Sequence, residues 1–167
     1  MGEDELIVSK TDTKGIITYA NDVFLRVSAY PESAVLGQPH NVIRHPDMPR
    51  CVFKLLWDTI KQGQEIFAYV VNLAGDGAHY WVLAHVAPSF GPAGQIIGYH
   101  SNRRTPDRAG MDVILPLYGQ LVAEERRHSR PADALAASTA MLHERAEAAG
   151  GYERWVWLLE SARAGAR

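Results

Sequence analysis

The chain has 167 residues and carries 17 basic against 19 acidic side chains, for a formal net charge of −2. This length fits one compact domain with a short appendage and excludes two large domains. The balanced charge argues against a strong field for nucleic acid or anionic lipid. The single cysteine, Cys51, cannot form an internal disulfide, and there is no run of about 18 apolar residues. We therefore expect a cytoplasmic protein that neither binds nucleic acid nor spans a membrane.

The first part of the chain alternates short apolar runs with glycine and proline breaks. Apolar runs on either side of a polar turn predict a β-hairpin over residues 6–20. Asn21 is a candidate N-cap for a short helix that ends at Pro31. The prolines that follow Pro31 allow only short helical turns, until Pro49 opens an amphipathic helix that ends at Gly63.

Three further strands are predicted before the amino-acid composition of the chain changes. Residues 66–73 and 79–87 are rich in β-branched and aromatic side chains and are joined by the turn residues 75–77. A loop over 88–94 then leads to a third strand over 95–101. The order is therefore two strands, small helices, a longer helix and three strands.

The C-terminal part is rich in alanine, glutamate and arginine and is predicted to be helical. Its helices are expected over residues 111–127, 135–147 and 152–162. Pro116 lies inside the first of these patterns and is expected to kink the helix or open a new first turn. We divide the chain into a domain over 5–104 and a helical extension over 106–163.

Four sequence motifs within residues 12–104 are more specific than this order of elements. They are Asp12-x-x-Gly15-x-Ile17-x-Tyr19-Ala20-Asn21-Asp22-x-Phe24, Gly37-Gln38-Pro39-His40-Asn41, Arg44-His45-Pro46-Asp47-Met48-Pro49 and His79-Tyr80-Trp81-Val82. In these motifs the chain resembles the PAS sensor domain of the bacterial aerotaxis receptor family (Aer and CetB-like), in its stand-alone form. The resemblance implies an α+β PAS fold: a five-stranded antiparallel sheet with small helices and a longer helix on one face, followed by C-terminal helices.

The resemblance also implies a cofactor and a set of residues that bind it. The cofactor is a non-covalent FAD, held between the sheet and the small helices, whose redox state reports on oxygen or electron transport. The candidate cofactor-binding residues are Asn21, Arg44, His45, Asp47, Trp57, Asn72, Tyr80 and His85.

Several of these residues have a structural alternative. Arg44 offers a fork of donors suited to a pyrophosphate, but it can equally form a salt bridge to Asp47. Asp47 can cap the following helix as well as contact a cofactor. The helical position of Trp57 also fits a core residue. Strand alternation sends Tyr80 and Trp81 to opposite faces of the sheet, so only one of them can point at a cofactor.

The chain departs from the family pattern in three places. The family usually has an asparagine where His85 stands and a Pro-Trp pair where this chain has Glu65-Ile66, and the loop over 72–76 lacks its usual basic character. An imidazole in place of an amide changes the hydrogen-bond donors and acceptors at this position and offers a metal ligand. His85 shares a face with Trp81, where it is either a buried polar contact or a surface imidazole.

The expected function is a redox or oxygen sensor for energy taxis that passes the redox state of its flavin to a separate partner. The partner would be a membrane-bound or cytoplasmic chemotaxis signalling protein, because the sequence contains no output unit of its own. We also expect a homodimer, with the helices after residue 106 as the docking or dimerisation surface; the alternative is that they pack on the PAS sheet.

Two other functions are compatible with a PAS fold. A haem-binding PAS gas sensor would need an axial ligand, for which His45, His85 and His100 are candidates. A cofactor-free PAS module would act only in dimerisation. An enzyme is not expected, because the sequence has no phosphate-binding glycine loop, no paired-cysteine metal spacing and no nucleophile elbow. His40, His45 and Asp47 lack the fixed spacing of a metal site, so we expect none.

Overall fold

The structure, a computed structural model, describes residue 2 and residues 5–161. It divides into two compact units. The first contains the residues up to Pro46 together with Leu56–Thr105, and the second contains Asp47–Leu55 together with the residues from Pro106 onwards. The segment Asp47–Leu55 therefore groups with the C-terminal helices. The predicted helical extension over 106–163 includes residues 162 and 163, which lie outside the described residues.

The first unit is built on a five-stranded antiparallel sheet. Its strands are β1 (Ile7–Thr11), β2 (Ile17–Ala20), β3 (Ile66–Leu73), β4 (His79–Phe90) and β5 (Ile96–Arg104). Their order across the sheet is β2-β1-β5-β4-β3. Only the β1–β5 neighbours are far apart in the chain, and the small helices lie between β2 and β3, the two edge strands. The predicted α+β fold with one five-stranded antiparallel sheet is confirmed.

The helices follow the predicted order. They are α1 (Asp22–Ser28), α2 (Glu32–Val35), a 3-10 turn (His40–Ile43), α3 (Arg50–Lys61), α4 (Arg108–Arg126), α5 (Pro131–Glu147) and α6 (Tyr152–Ser161). The prolines between α1 and α3 account for the shortness of α2 and the 3-10 turn, because a proline cannot donate within a helix. The predicted end of the last helix, residue 162, lies outside the described residues.

Strand register decides which side chains share a face of the sheet. Asn72 lies opposite Tyr80, Ala84 lies opposite Arg103, and Ser9 lies opposite Ser101. Directly opposite residues point to the same side, and residues two apart along a strand do so as well. The Arg103 face is therefore the side of the sheet that carries Ser9, Asn72, Tyr80, Ser101 and Arg103.

Strand β4 is longer than predicted. The sequence predicts a loop at Pro88, but the strand continues through it to Phe90, and Pro88 pairs with Tyr99 of β5. The register explains this: β3 begins at Ile66, opposite Val86, so β4 has a strand on only one side at Pro88. Proline is tolerated at such an open edge because its missing N–H breaks no ladder on that side.

Two prolines shape the C-terminal helices of the second unit. Helix α4 runs continuously through Pro116, which is exposed. Helix α5 begins at Pro131, earlier than the predicted 135, because a proline in the first turn has no helical hydrogen bond to lose. Among the described residues, no helix is long and apolar enough to cross a membrane.

Candidate functional site

Arg103 is a buried arginine in the middle of the first unit, with a relative exposure of 5%. Its Nη2 donates to the Ser9 hydroxyl at 3.0 Å and to His40 Nε2 at 2.7 Å. The guanidinium lies 5.9 Å from the centroid of the Phe24 ring. Within residues 5–161, no carboxylate forms an ion pair with Arg103. A buried arginine without a carboxylate is unusual, because burial of an unpaired charge is costly.

The charges around Arg103 are set by burial. Burial lowers the pKa of Arg103 to about 10, and the neighbouring Tyr80 opposes that change. Burial, followed by the charge of Arg103, lowers the pKa of His40 to about 3. His40 is therefore neutral near pH 7, and because its Nε2 accepts from Arg103 its proton lies on Nδ1. The site carries one positive charge.

Three buried polar atoms on the Arg103 face have no hydrogen-bond partner within the described chain. They are Arg103 Nη1, Asn72 Nδ2 and Ser101 Oγ. Each unsatisfied buried group costs on the order of 1–3 kcal/mol, and charged groups cost more. Their number on one face points to a ligand whose oxygen or nitrogen acceptors would satisfy them.

Asn72 and Tyr80, both predicted site residues, lie together on this face. They are directly opposite each other at the end where β3 meets β4. Burial raises the pKa of Tyr80 to about 12, although Arg103 and then Asn72 act in the opposite direction. The phenol therefore stays protonated near neutral pH and is available as a hydrogen-bond donor.

Arg44 and His45 lie beside that end of the sheet. The backbone of Arg44 forms an isolated antiparallel bridge with Asn72, and its side chain is exposed. The half-buried ring of His45 meets the ring of His79 edge-on at 5.7 Å. The backbone of Arg44 therefore lies beside Asn72. The ring of His45 contacts His79, whose side chain points to the opposite side of β4 from Tyr80.

Trp57 lies towards the opposite end of the Arg103 face. Its ring meets Tyr99 edge-on at 5.5 Å, and the Lys61 ammonium lies 5.5 Å from its centroid. Tyr99 precedes Arg103 by four residues on the same strand, which corresponds to about 13 Å. Gly15 has a φ of +82°, and a Cβ there would lie 2.9 Å from Trp57 Cη2. The absence of a side chain at Gly15 therefore makes room for the indole.

Asn21 has a structural role that uses most of its hydrogen-bonding capacity. Its Oδ1 accepts from the backbone N–H of Phe24 at 2.9 Å and of Val8 at 3.0 Å, and its Nδ2 donates to Leu6 O at 2.9 Å. The predicted N-cap of α1 is confirmed. The same amide ties the start of α1 to β1, which leaves one N–H for any other partner.

His85 lies on the opposite side of the sheet from Tyr80. Its ring stacks on Phe67 with 4.4 Å between centroids, and its Nε2 lies 2.8 Å from the Glu65 carboxylate. A ligand on the Arg103 face would not contact it. The substitution of His85 for the family's asparagine is thus accommodated by local neighbours, one of which, Glu65, is itself a departure from the family pattern.

Asp47 belongs to the second unit, where its carboxylate accepts from Arg126 at 2.7 Å. The first amides of α3 have a different acceptor: the backbone N–H groups of Arg50 and Cys51 donate to Glu125 Oε1 at 2.8 and 3.3 Å. The neighbouring residues Glu125 and Arg126 of α4 therefore bind the start of α3.

Sequence reasoning missed the residues that define the site, namely Ser9, Ser101 and Arg103, and gave His40 no role in it. One signal was available: Tyr99 and Ser101 alternate in the predicted strand, and Arg103, two residues beyond its predicted end, continues that alternation, because β5 extends to Arg104. His40 also belongs to one of the motifs on which the family resemblance rests. What the sequence could not show is that no carboxylate of residues 5–161 pairs with Arg103.

Comparisons with known proteins identify the fold family and the relatives of this chain. Residues 7–101 match the family described as the PAS fold. The aerotaxis receptor of Escherichia coli is 40% identical over 123 residues, which cover 74% of this chain and 24% of the receptor. A nitrogen fixation regulatory protein of Klebsiella pneumoniae is 31% identical over 97 residues, which cover 58% of this chain and 20% of that protein. The chain thus spans a quarter or less of either relative.

Solved structures of light-oxygen-voltage domains share the fold. The dark structure of the blue-light photoreceptor Aureochrome1 domain superposes with a TM-score of 0.59 at 23% identity, covering 68% of this chain and 85% of that one. A light-oxygen-voltage domain studied with a flavin analogue superposes with a TM-score of 0.58 at 18% identity, covering 69% and 86%. At these identities the likeness concerns the fold alone.

Proposed function

This chain belongs to the PAS-fold family, and on that premise we propose that it is a cytoplasmic redox sensor that binds FAD on the Arg103 face. The observation that carries the proposal is the buried guanidinium of Arg103, whose Nη1 has no partner in the described chain. Unpartnered atoms of Asn72 and Ser101 share its face. The similarity to an aerotaxis receptor supports a sensory role for the same domain.

The donors on this face suit the polar edge of a flavin. The flavin ring presents carbonyl oxygens and ring nitrogens, which are acceptors for the Arg103 and Asn72 N–H groups. The Ser101 hydroxyl can donate or accept. Between these groups, Ala68 lies opposite Ala84, and both are buried. Two small side chains in register leave the sheet shallow there, which suits a flat ring.

The candidate residues at the ends of the face have complementary roles. The exposed Arg44 is suited to a phosphate of the dinucleotide, because a guanidinium binds phosphate oxygens in a bidentate manner. Trp57 provides an aromatic surface at the other end. Tyr80 stays protonated and can donate from beside Asn72. Asn21 supports α1, and Asp47 accepts from Arg126 of the second unit.

A bound flavin supplies reversible electron transfer, and this chain's residues would detect the accompanying change in charge. Arg103 reaches two other elements through its Nη2, β1 at Ser9 and the 3-10 turn at His40. A ligand that attracts the guanidinium more strongly changes the strength of both hydrogen bonds. Arg103 then has two arrangements, one held by Ser9 and His40 and one drawn towards the ligand, and their populations depend on the ligand's charge.

We assign the output to a separate chemotaxis signalling protein, membrane-bound or cytoplasmic, and propose that the chain forms a homodimer. The support is the name of the Escherichia coli relative, an aerotaxis receptor of which this chain matches 24%. The C-terminal helices supply exposed apolar side chains for such contacts, including Trp157 and Leu158 of α6, at 65% and 43% exposure.

Haem fits this face less well than flavin. An axial ligand needs an imidazole nitrogen, but His85 lies on the other side of the sheet, and the ring of His45 contacts His79, which points to that same side. His40 Nε2 is used by Arg103. His100 lies 3.1 Å from Ser89, again away from the Arg103 face. A cofactor-free module would leave the buried charge of Arg103 without compensation. Both alternatives are separated from flavin by the absorption of the purified protein.

The assignment is tested with two neighbouring arginines. Arg103→Gln should weaken FAD binding about tenfold or more, because a charge-assisted hydrogen bond contributes about 1.5–3 kcal/mol. Arg104→Gln is the matched control, since the next residue on the strand points to the other face. FAD affinity is measured by fluorescence titration of the apoprotein, with circular dichroism to verify folding. Equal affinity in both variants would overturn the assignment.

A further inference from the structure

The orientation of Arg103 is set by two contacts on one nitrogen. A guanidinium Nη2 has two hydrogens, and in this structure one is directed to Ser9 Oγ at 3.0 Å and the other to His40 Nε2 at 2.7 Å. Because the guanidinium is planar, fixing both hydrogens of Nη2 fixes the direction of Nη1. The unpartnered donor is thus aimed by residues that do not themselves need to touch a ligand.

His40 is itself held firmly by the neighbouring hairpin. Its backbone N–H donates to Gly15 O at 2.9 Å, and the preceding Pro39 forms an isolated bridge with Ile16. The imidazole meets the Phe24 ring edge-on at 6.1 Å. Both the backbone and the ring of His40 therefore have defined positions, as a residue that orients another side chain requires.

The chemistry of His40 matches this role. A protonated imidazole has no acceptor and would repel the guanidinium, whereas the neutral ring offers Nε2 as an acceptor. Burial keeps the ring neutral, and Ser9 Oγ lies 3.1 Å from the same nitrogen. The cluster Ser9–His40–Arg103 thus has one net positive charge, delocalised over the guanidinium, whose buried Nη1 has no partner in the described chain.

Resting on the proposed function, we propose that His40 is a positioning residue that orients Arg103 towards the most electron-rich group of the ligand. The proposal specifies the ligand class: a molecule that presents a carbonyl oxygen or an anionic atom to Nη1. It also assigns a preference between redox states. Reduction adds electron density to the flavin ring, so a correctly aimed guanidinium binds the reduced form more tightly than the oxidised form.

Two variants of His40 separate positioning from general support. His40→Gln keeps an amide oxygen that can accept from Arg103, whereas His40→Leu removes the acceptor. The dissociation constant of FAD is measured anaerobically in oxidised and dithionite-reduced states, on the full chain. His40→Leu should reduce the preference for the reduced form about tenfold, the effect of roughly 1.4 kcal/mol, while His40→Gln should stay within about threefold of the unchanged chain. His100→Leu, on the other face, is the control.

A second measurement needs no flavin, so it keeps this inference distinct from the proposed function. The nitrogen chemical shifts of the His40 ring in the ligand-free protein report its tautomer. We expect a proton on Nδ1 and an accepting Nε2, with a clear change in Arg103→Gln. A proton on Nε2, or an unchanged redox preference in folded His40→Leu, would overturn the positioning role. Failure of the unchanged chain to bind FAD would overturn the proposed function instead.

Discussion

Lowering the pH from 7 to 5 should remove about 2 kcal/mol of unfolding free energy through His40 alone. The ring has a pKa of about 3 in the folded chain, against 6.5 for an ordinary histidine. Between those values the unfolded chain binds a proton that the folded chain does not, so the unfolding free energy falls as the pH falls. The slope is about 1.4 kcal/mol per pH unit, and the interval from 6.5 to 5 covers 1.5 units.

The assay compares the apoprotein with His40→Gln, which cannot take up this proton. Urea denaturation followed by tryptophan fluorescence gives the unfolding free energy of each at pH 7 and pH 5. The loss between the two pH values should be smaller in His40→Gln by about 2 kcal/mol, and other titrating groups cancel in the difference. An equal loss in both proteins would refute the reasoning that His40 is buried neutral against Arg103.

Two further pairs of variants test the local packing by the same denaturation assay. Gly15→Ala should destabilise the protein more than Gly77→Ala. Both glycines have a positive φ, at +82° and +87°, but only a Cβ at Gly15 would lie against Trp57. Equal losses of stability in the two variants would contradict that contact. Glu125→Ala should cost about 1–3 kcal/mol, because it leaves two amides of α3 without their acceptor. Glu124→Ala is the control and should change little, and an equal effect would refute the capping role.

Much of the fold was accessible from the sequence because local signals agree with it. Runs of β-branched and aromatic residues marked the strands, and Asn21 marked the start of α1 through the hydrogen bond its side chain offers. Pro88 was misplaced because proline normally ends a strand. Only the register, with β3 beginning opposite Val86, shows that β4 has an open edge there.

The candidate site was harder to predict from the sequence than the fold, because the residues that form it lie far apart in the chain. The family resemblance led to Asn72 and Tyr80, which lie on the Arg103 face, and also to His85, which lies on the other. Strand alternation had already separated His85 from Tyr80, so the sequence contained that distinction. The partners of Arg103 are distant in the chain, at Ser9 and His40, and no local pattern links them.

The most direct test of the central claim is the absorption spectrum of the purified protein before and after dithionite. We expect the two-banded spectrum of a flavin, which bleaches on reduction and is diminished in Arg103→Gln but retained in Arg104→Gln. A single intense haem band, or a spectrum that stays featureless after incubation with FAD, would contradict it.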